Sequence, residues 1–206
     1  MSARKAGNPW LLAGIAAIAL VVVTVLLLIQ PPASPGYLVI RAASLLGYQA
    51  MFLAILSSAY LRQMLRWFGR PFLKVHHLIS LVGLALVTLH PIAVALEMAT
   101  ARYMLPQFQS LTTFLQYGGA PALYLFLLAA LVAAYRKTLG SRWRLLHMLT
   151  YLAFTFATVH AFLIGDDFSS PVVRVVSWTI LAMVIFVAVE RRLQTRGRTA
   201  RGAAKP

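Results

Sequence analysis

The chain has 206 residues, 61% hydrophobic and only 11% charged, with a mean hydropathy of +0.80, so a soluble domain is excluded: that much apolar surface cannot be hidden from water at this size, whereas lipid accepts it. Nineteen Lys and Arg stand against four Asp and Glu, a net charge of +15 that in so apolar a chain marks cytoplasmic loops rather than nucleic-acid binding. The absence of Cys excludes disulfides, iron–sulfur ligation and C-x-x-C-H haem attachment, and leaves the redox compartment unmarked.

Six apolar segments are predicted to be helices. The first, Trp10–Ile29, follows a short basic start and resembles a signal peptide in its flanks, but it is long enough to span a bilayer and is read as a retained helix. It stops at Gln30-Pro31-Pro32. Tyr37–Tyr60 follows and runs into a basic loop with Arg62, Arg66, Arg70 and Lys74. The third segment, Val75–Met98, leads through a polar loop containing Arg102 and Pro106 to the fourth, Gly119–Tyr135. A basic connection, Arg136 to Arg144, enters the fifth, Leu145–Ile164, which closes at Gly165-Asp166-Asp167. The sixth is Pro171–Val189. The expected fold is an all-α integral membrane bundle of six transmembrane helices spanning residues 1–190. A basic cytoplasmic tail without regular structure is expected over 191–206.

With both termini inside, sixteen of the nineteen basic residues fall on the cytoplasmic side, and only Arg41, Arg102 and Arg174 fall outside. Trp67 and Trp143 then sit at inner boundaries, where interfacial Trp anchors belong.

Within these segments the histidines carry the chemical signal. Thirteen residues separate His76 from His90, and twelve separate His147 from His160. The third and fifth helices run in the same direction, so His76 and His147 fall at one depth and His90 and His160 at another. At 1.5 Å per residue the pairs span ~21 Å and ~20 Å, room for two stacked sites inside a ~30 Å apolar core. Neutral imidazole is an axial ligand of haem iron, and one from each helix fills both axial positions, which suits electron transfer. This assigns His76 with His147 to an inner haem b and His90 with His160 to an outer one. Four ligands in pairs ~20 Å apart cannot make one tetrahedral metal site.

The spacing raises one difficulty. Fourteen steps return to within ~40° of the same helix face, but thirteen leave ~140° of misfit on the fifth helix. Tilt, a local irregularity, or haems on different sides of the helix pair each accommodate this. The plain alternative is that all four are structural histidines bonded to backbone carbonyls, but intramembrane ionisable groups are costly and usually functional. His77 stays open beside His76 as the inner ligand. Lys74, Arg142 and Arg144 are inner candidates for haem propionates. Arg41, on the outer side, either neutralises an outer propionate or anionic substrate, or snorkels at the interface. Asp166 and Asp167 read as a solvated turn, or as a cation attractor at the outer mouth. Tyr48, Tyr151, Phe154 and Phe156 are either porphyrin neighbours or ordinary packing.

The stretch from His76-His77-Leu78 to Leu89-His90-Pro91 resembles the H-x13-H of the ferric reductase-like transmembrane superfamily. That superfamily includes NADPH oxidases, ferric reductases and the haem-binding subunit of bacterial methionine sulfoxide reductase. Leu139-Gly140-Ser141-Arg142-Trp143-Arg144-Leu145-Leu146-His147, then Tyr151 and His160, is similar to its L-G-x-x-W-x-x-L-H…Y…H segment. Arg41-Ala42-Ala43-Ser44 is similar to the R-A-x-x of the oxidases. The resemblance covers residues 10–190. It implies two haems b, a multi-pass protein of the bacterial inner (plasma) membrane, and an electron-transfer subunit of an oxidoreductase. The chain has no G-x-G-x-x-G loop of its own. The expected donor is therefore a separate flavoprotein or a quinol, with any flavin held by a partner or at the cytoplasmic face. The expected acceptor is a periplasmic reductase, a ferric chelate or oxygen. A proton- or metal-coupled transporter using the intramembrane histidines is the competing function.

Overall fold

A computed structural model describes residues 9–60 and 72–203, with side chains over 13–60 and 73–193. Every regular element among them is a helix. Helix α1 (Pro9–Ile29) ends where Pro31 and Pro32 can supply no backbone N–H. Helix α2 (Pro35–Ala59) starts at Ser34, whose hydroxyl accepts from the Tyr37 N–H, with Pro35 preset for the first turn. Helix α3 (Phe72–Glu97) carries Pro91 in its interior. Past its end Ala99 takes a left-handed φ of 50°, and a 3-10 turn (Ala101–Met104) follows. The short α4 (Leu111–Gln116) is capped by Ser110 and precedes α5 (Gly119–Ala134).

The basic connection expected as a loop is itself largely helical. It comprises α6 (Arg136–Leu139), a 3-10 turn (Gly140–Arg142) and α7 (Trp143–His147), which leads into α8 (Leu149–Ile164). A further 3-10 turn (Asp166–Ser169) joins α8 to α9 (Pro171–Ala203). Helix α9 runs on to Ala203, so most of the tail expected to lack regular structure continues the last helix. Arg and Ala are strong helix formers and need only a preceding turn to extend.

Pro35–Ala59, Leu73–Glu97, Arg136–Ile164 and Pro171–Leu193 are long and apolar enough to cross a membrane, while Ala13–Ile29 and Gly119–Ala134 are apolar but shorter. The burial pattern is inverted relative to a water-soluble protein. Ala43, Ala122, Ala129 and Ala153 lie at 3% exposure or less, while Leu28, Leu81 and Phe186 stand above 60%. Each large apolar side chain left in water forgoes ~1.5–3 kcal/mol, so small residues inside and large ones outside is the arrangement of helices packed in lipid. The molecule is a helical membrane protein.

Helices α2 and α3 make the most extensive contact. A Cβ at Gly47 of α2 would come within 2.9 Å of Val87 Cγ1 on α3, so only glycine allows the approach. Helices α5 and α8 form a second close pair. The core between the pairs joins Met51 and Ile55 of α2, Phe126 of α5, Phe154 of α8 and Val184 of α9. Tyr48 stacks on Phe154 at 4.7 Å between ring centroids.

Candidate functional site

Four of the five histidines are held in one way. His90 Nδ1–H donates to the Ile40 carbonyl at 3.1 Å, His147 to the Ala129 carbonyl at 3.0 Å, and His160 to the Gln116 carbonyl at 2.6 Å. His76 Nδ1 lies 3.1 Å from Ser57 Oγ and also bonds the Ala54 backbone. Ser57 Oγ donates its own hydrogen to the Ala54 carbonyl at 2.8 Å, so it accepts from His76. Each anchor is on a neighbouring helix or the turn before one: α2 for His76 and His90, α5 for His147, and the end of α4 for His160.

A carbonyl acceptor fixes the tautomer: Nδ1 carries the hydrogen and Nε2 keeps its lone pair. A structural histidine also bonds carbonyls, so the fate of Nε2 separates the two readings. For His90, His147 and His160 no group among the described residues bonds Nε2. No buried side-chain nitrogen or oxygen there is left without a partner, so these Nε2 atoms open onto space. Ring nitrogens oriented this way are the arrangement of metal-bound imidazole.

His76 lies within electrostatic range of His147 and His77, and His160 within range of His90. The fifth helix carries a local irregularity that takes up part of the ~140° misfit. Between α7 and α8, Met148 N–H bonds the carbonyls of both Arg144 and Leu145 at 3.2 Å, and Tyr151 N–H reaches Met148 at 3.1 Å. The bonds to Leu145 and Met148 are 3-10 contacts, and each such step turns ~120° instead of ~100°, recovering ~20°. The break falls directly after His147, between the two histidines of the segment.

His90 and His160 line one cavity of about 550 Å³, within the usual size of a ligand site. Gly119, at the start of α5, forms part of its wall. A Cβ there would sit 2.9 Å from His160 Nε2, so glycine keeps this ring nitrogen clear. The cavity, the open Nε2 atoms and this glycine leave room for a group bound at His90 and His160.

Arg41 also lines the cavity, but it neither snorkels nor stands free. It is 6% exposed, and its guanidinium grips Asp167 through Nη2–Oδ1 at 2.5 Å and Nε–Oδ2 at 3.3 Å. It also bonds the carbonyl of Gln30, and that of Leu26 at 3.5 Å. Asp167 is correspondingly buried at 8%, so the solvated-turn reading fails for it. Asp166 is exposed and accepts from the Tyr37 hydroxyl at 2.9 Å. A second hollow of about 520 Å³ lies beside the first and shares Tyr37, Arg41 and Asp166 with it.

His77 is exposed, its ring tilted against His76 at 5.9 Å, whereas the other four histidines are half-buried. Lys74, Arg142 and Arg144 are exposed. Trp143, expected only as an interfacial anchor, packs its ring 5.8 Å from that of His147. Tyr151 and Phe154 belong to the core cluster, while Phe156 meets Phe114 edge-on at 5.6 Å. Arg191 reaches the Ser58 carbonyl at 2.9 Å and the Ala59 carbonyl, capping the end of α2, a contact the tail composition hides. Arg4, Lys5, Arg62, Arg66, Trp67 and Arg70 lie outside the described residues. No family model, curated protein or solved structure matches the chain.

Proposed function

We propose that the chain is a six-helix transmembrane carrier of electrons built on two haems b, the inner held by His76 and His147 and the outer by His90 and His160. The observation that carries this reading is the shared geometry of the four imidazoles: each Nδ1 is committed to a neighbouring helix or turn, in pairs at two depths. Bound there, each haem supplies a one-electron couple and needs no proton from its ligands. The protein's part would be to hold each haem between two neutral imidazoles, His76 with His147 and His90 with His160, and to keep the sites dry. Between the two levels lie Tyr48, Met51 and Phe154, a packed layer that excludes water. At the outer level Arg41 and Asp167 bring a compensated pair of charges to the cavity wall.

In this reading, which the excess of basic residues in the connections supports, both termini are cytoplasmic and the chain lies in a bacterial inner membrane. Electrons enter from a flavoprotein or quinol at the His76–His147 level. They leave near Tyr37 and Asp166 to a periplasmic reductase such as methionine sulfoxide reductase, a ferric chelate or oxygen. This is the activity implied by the likeness to the ferric reductase-like superfamily.

The test is the reduced-minus-oxidised spectrum of purified protein with a pyridine haemochrome count. Two haems b per chain are expected, one lost in His90→Ala or His160→Ala and the other in His76→Ala or His147→Ala. A colourless protein after haem supplementation that instead moves protons or metal ions in liposomes would establish the transporter reading.

A further inference from the structure

The segment between α3 and α5 is short of charge and holds large apolar side chains outward. Leu105, Phe108 and Leu111 are 59%, 78% and 74% exposed, and between Ala99 and Gly118 the only charged residue is Arg102. This is not a loose loop. Gln107 is 8% exposed, and its amide donates to the carbonyls of Arg102 at 3.2 Å and Leu105 at 3.0 Å. Gln109 donates to Gln107 Oε1 at 3.0 Å, Ser110 caps α4, and Phe108 stacks on Phe114 at 5.5 Å. These bonds satisfy the carbonyls of Arg102 and Leu105 and the N–H of Thr113 within the segment, which lowers the cost of bringing it toward lipid.

The length of α5 says what covers these side chains. Its 16 residues span ~24 Å, short of a ~30 Å apolar core by ~6 Å. The opposite end of α5 is marked by Arg136 and Lys137, so the shortfall falls at the Gly119 end, under this segment. The two are joined: the Tyr124 hydroxyl donates to the Met104 carbonyl at 2.9 Å. Tyr124 heads the exposed stripe Tyr124, Leu127, Leu128 and Leu131, which has helical i, i+3, i+4, i+7 spacing and faces lipid. The apolar surface of the segment therefore continues a lipid-facing surface across the depth that α5 fails to span.

We infer that residues 101–116 form a cap seated in the lipid leaflet, inserting Leu105, Phe108 and Leu111 among the acyl chains beside α5. Its inner side carries Tyr103 and Gln116, which with the adjoining Tyr117 line the His90–His160 cavity. The cap thus roofs that cavity with lipid-immersed protein instead of a water-exposed loop. Arg102, exposed at its edge, suits a phosphate headgroup. The inference does not depend on what the cavity binds.

The chain has no native Cys, so single cysteines can be introduced without a background. Nitroxide labels are placed at Leu111→Cys and Phe108→Cys in the full chain, alone in lipid nanodiscs, with Leu131→Cys as the lipid reference and Arg142→Cys as the aqueous one. Collision with oxygen and with a water-soluble nickel chelate is measured for each. Labels at 108 and 111 are expected to match Leu131, with oxygen favoured over nickel several-fold. Nickel collision at 111 equal to that at Arg142 would mean an aqueous surface awaiting a protein partner and would overturn the inference. Leu111 makes no ring contact, so its variant decides the matter even if Phe108→Cys disturbs the stack.

Discussion

Replacing Asp167 by Asn removes one charge and almost no volume. The Arg41–Asp167 pair is 7% and 9% exposed at the side chains, so the guanidinium would be left buried with no counter-ion. Breaking a buried pair by removing one partner costs about 3–5 kcal/mol. At about 2–4 °C of melting temperature per kcal/mol for a chain of this length, the loss is roughly 6–20 °C. Arg41→Met should fall in the same range, since it strands the carboxylate and also deprives the Gln30 and Leu26 carbonyls of their donor. The double variant Arg41→Met, Asp167→Leu removes both charges. It should recover most of the deficit and leave about 1 kcal/mol for the Gln30 carbonyl, whose residue is exposed and can turn to water. Thermal unfolding by circular dichroism in one lipid nanodisc composition makes the comparison. In haem-loaded protein the two single variants should move the outer potential in opposite directions, up for Asp167→Asn and down for Arg41→Met, because a nearby cation favours the reduced site. An unchanged melting temperature for Asp167→Asn, or a double variant no better than the worse single one, would show that the pair is not a buried electrostatic clamp.

Gly119→Ala puts a methyl 2.9 Å from His160 Nε2, so the outer haem should be lost and the inner kept; a variant that still binds two haems per chain refutes the role given to this glycine. Ser57→Ala removes one of two groups orienting His76 and should weaken inner-haem retention about tenfold, the low end for a supporting hydrogen bond, as read from the rate of haem transfer to apomyoglobin. His77→Ala should leave the spectrum unchanged because the ring is exposed; loss of the inner haem there, with His76→Ala retaining it, would move the ligand by one residue.

The helices and the histidine levels were legible because both follow from repeats along the chain. Apolar runs of spanning length announce helices, and a positive charge bias orders them. His77 and His76 stayed equivalent in the sequence because adjacent residues share a depth, and only the rotation of α3 turns one inward. The phase misfit on the fifth helix was visible as a number, but the irregularity at Met148 that takes up part of it was not, since nothing in the side chains around 148 specifies a 3-10 step. Arg41 and Asp167 lie 126 positions apart, and their pairing depends on how α2 meets the turn after α8. One warning was available: a cation and two acids placed at the same face of so apolar a chain have reason to find each other.

The anchors of the imidazoles separate what a sequence can carry from what it cannot. Ser57 was in principle discoverable, as a hydroxyl within a largely apolar helix. The carbonyls of Ile40, Ala129 and Gln116 were not, because every residue offers a carbonyl and the side chain does not say which is presented. The Ile40 and Ala129 carbonyls lie inside regular helices, where one lone pair serves the backbone and the second is open to a ring nitrogen, while that of Gln116 is at a helix end, where carbonyls lack an intrahelical partner. The device therefore requires no special residue at the acceptor, only helices brought close enough to touch. Close approach is what the chain does encode: Gly47 sits where α2 meets α3, and the fully buried Ala129, which itself supplies an acceptor, where α5 meets His147 of α7. The small residues that pack the bundle in lipid are, by the same contacts, the residues that aim its histidines.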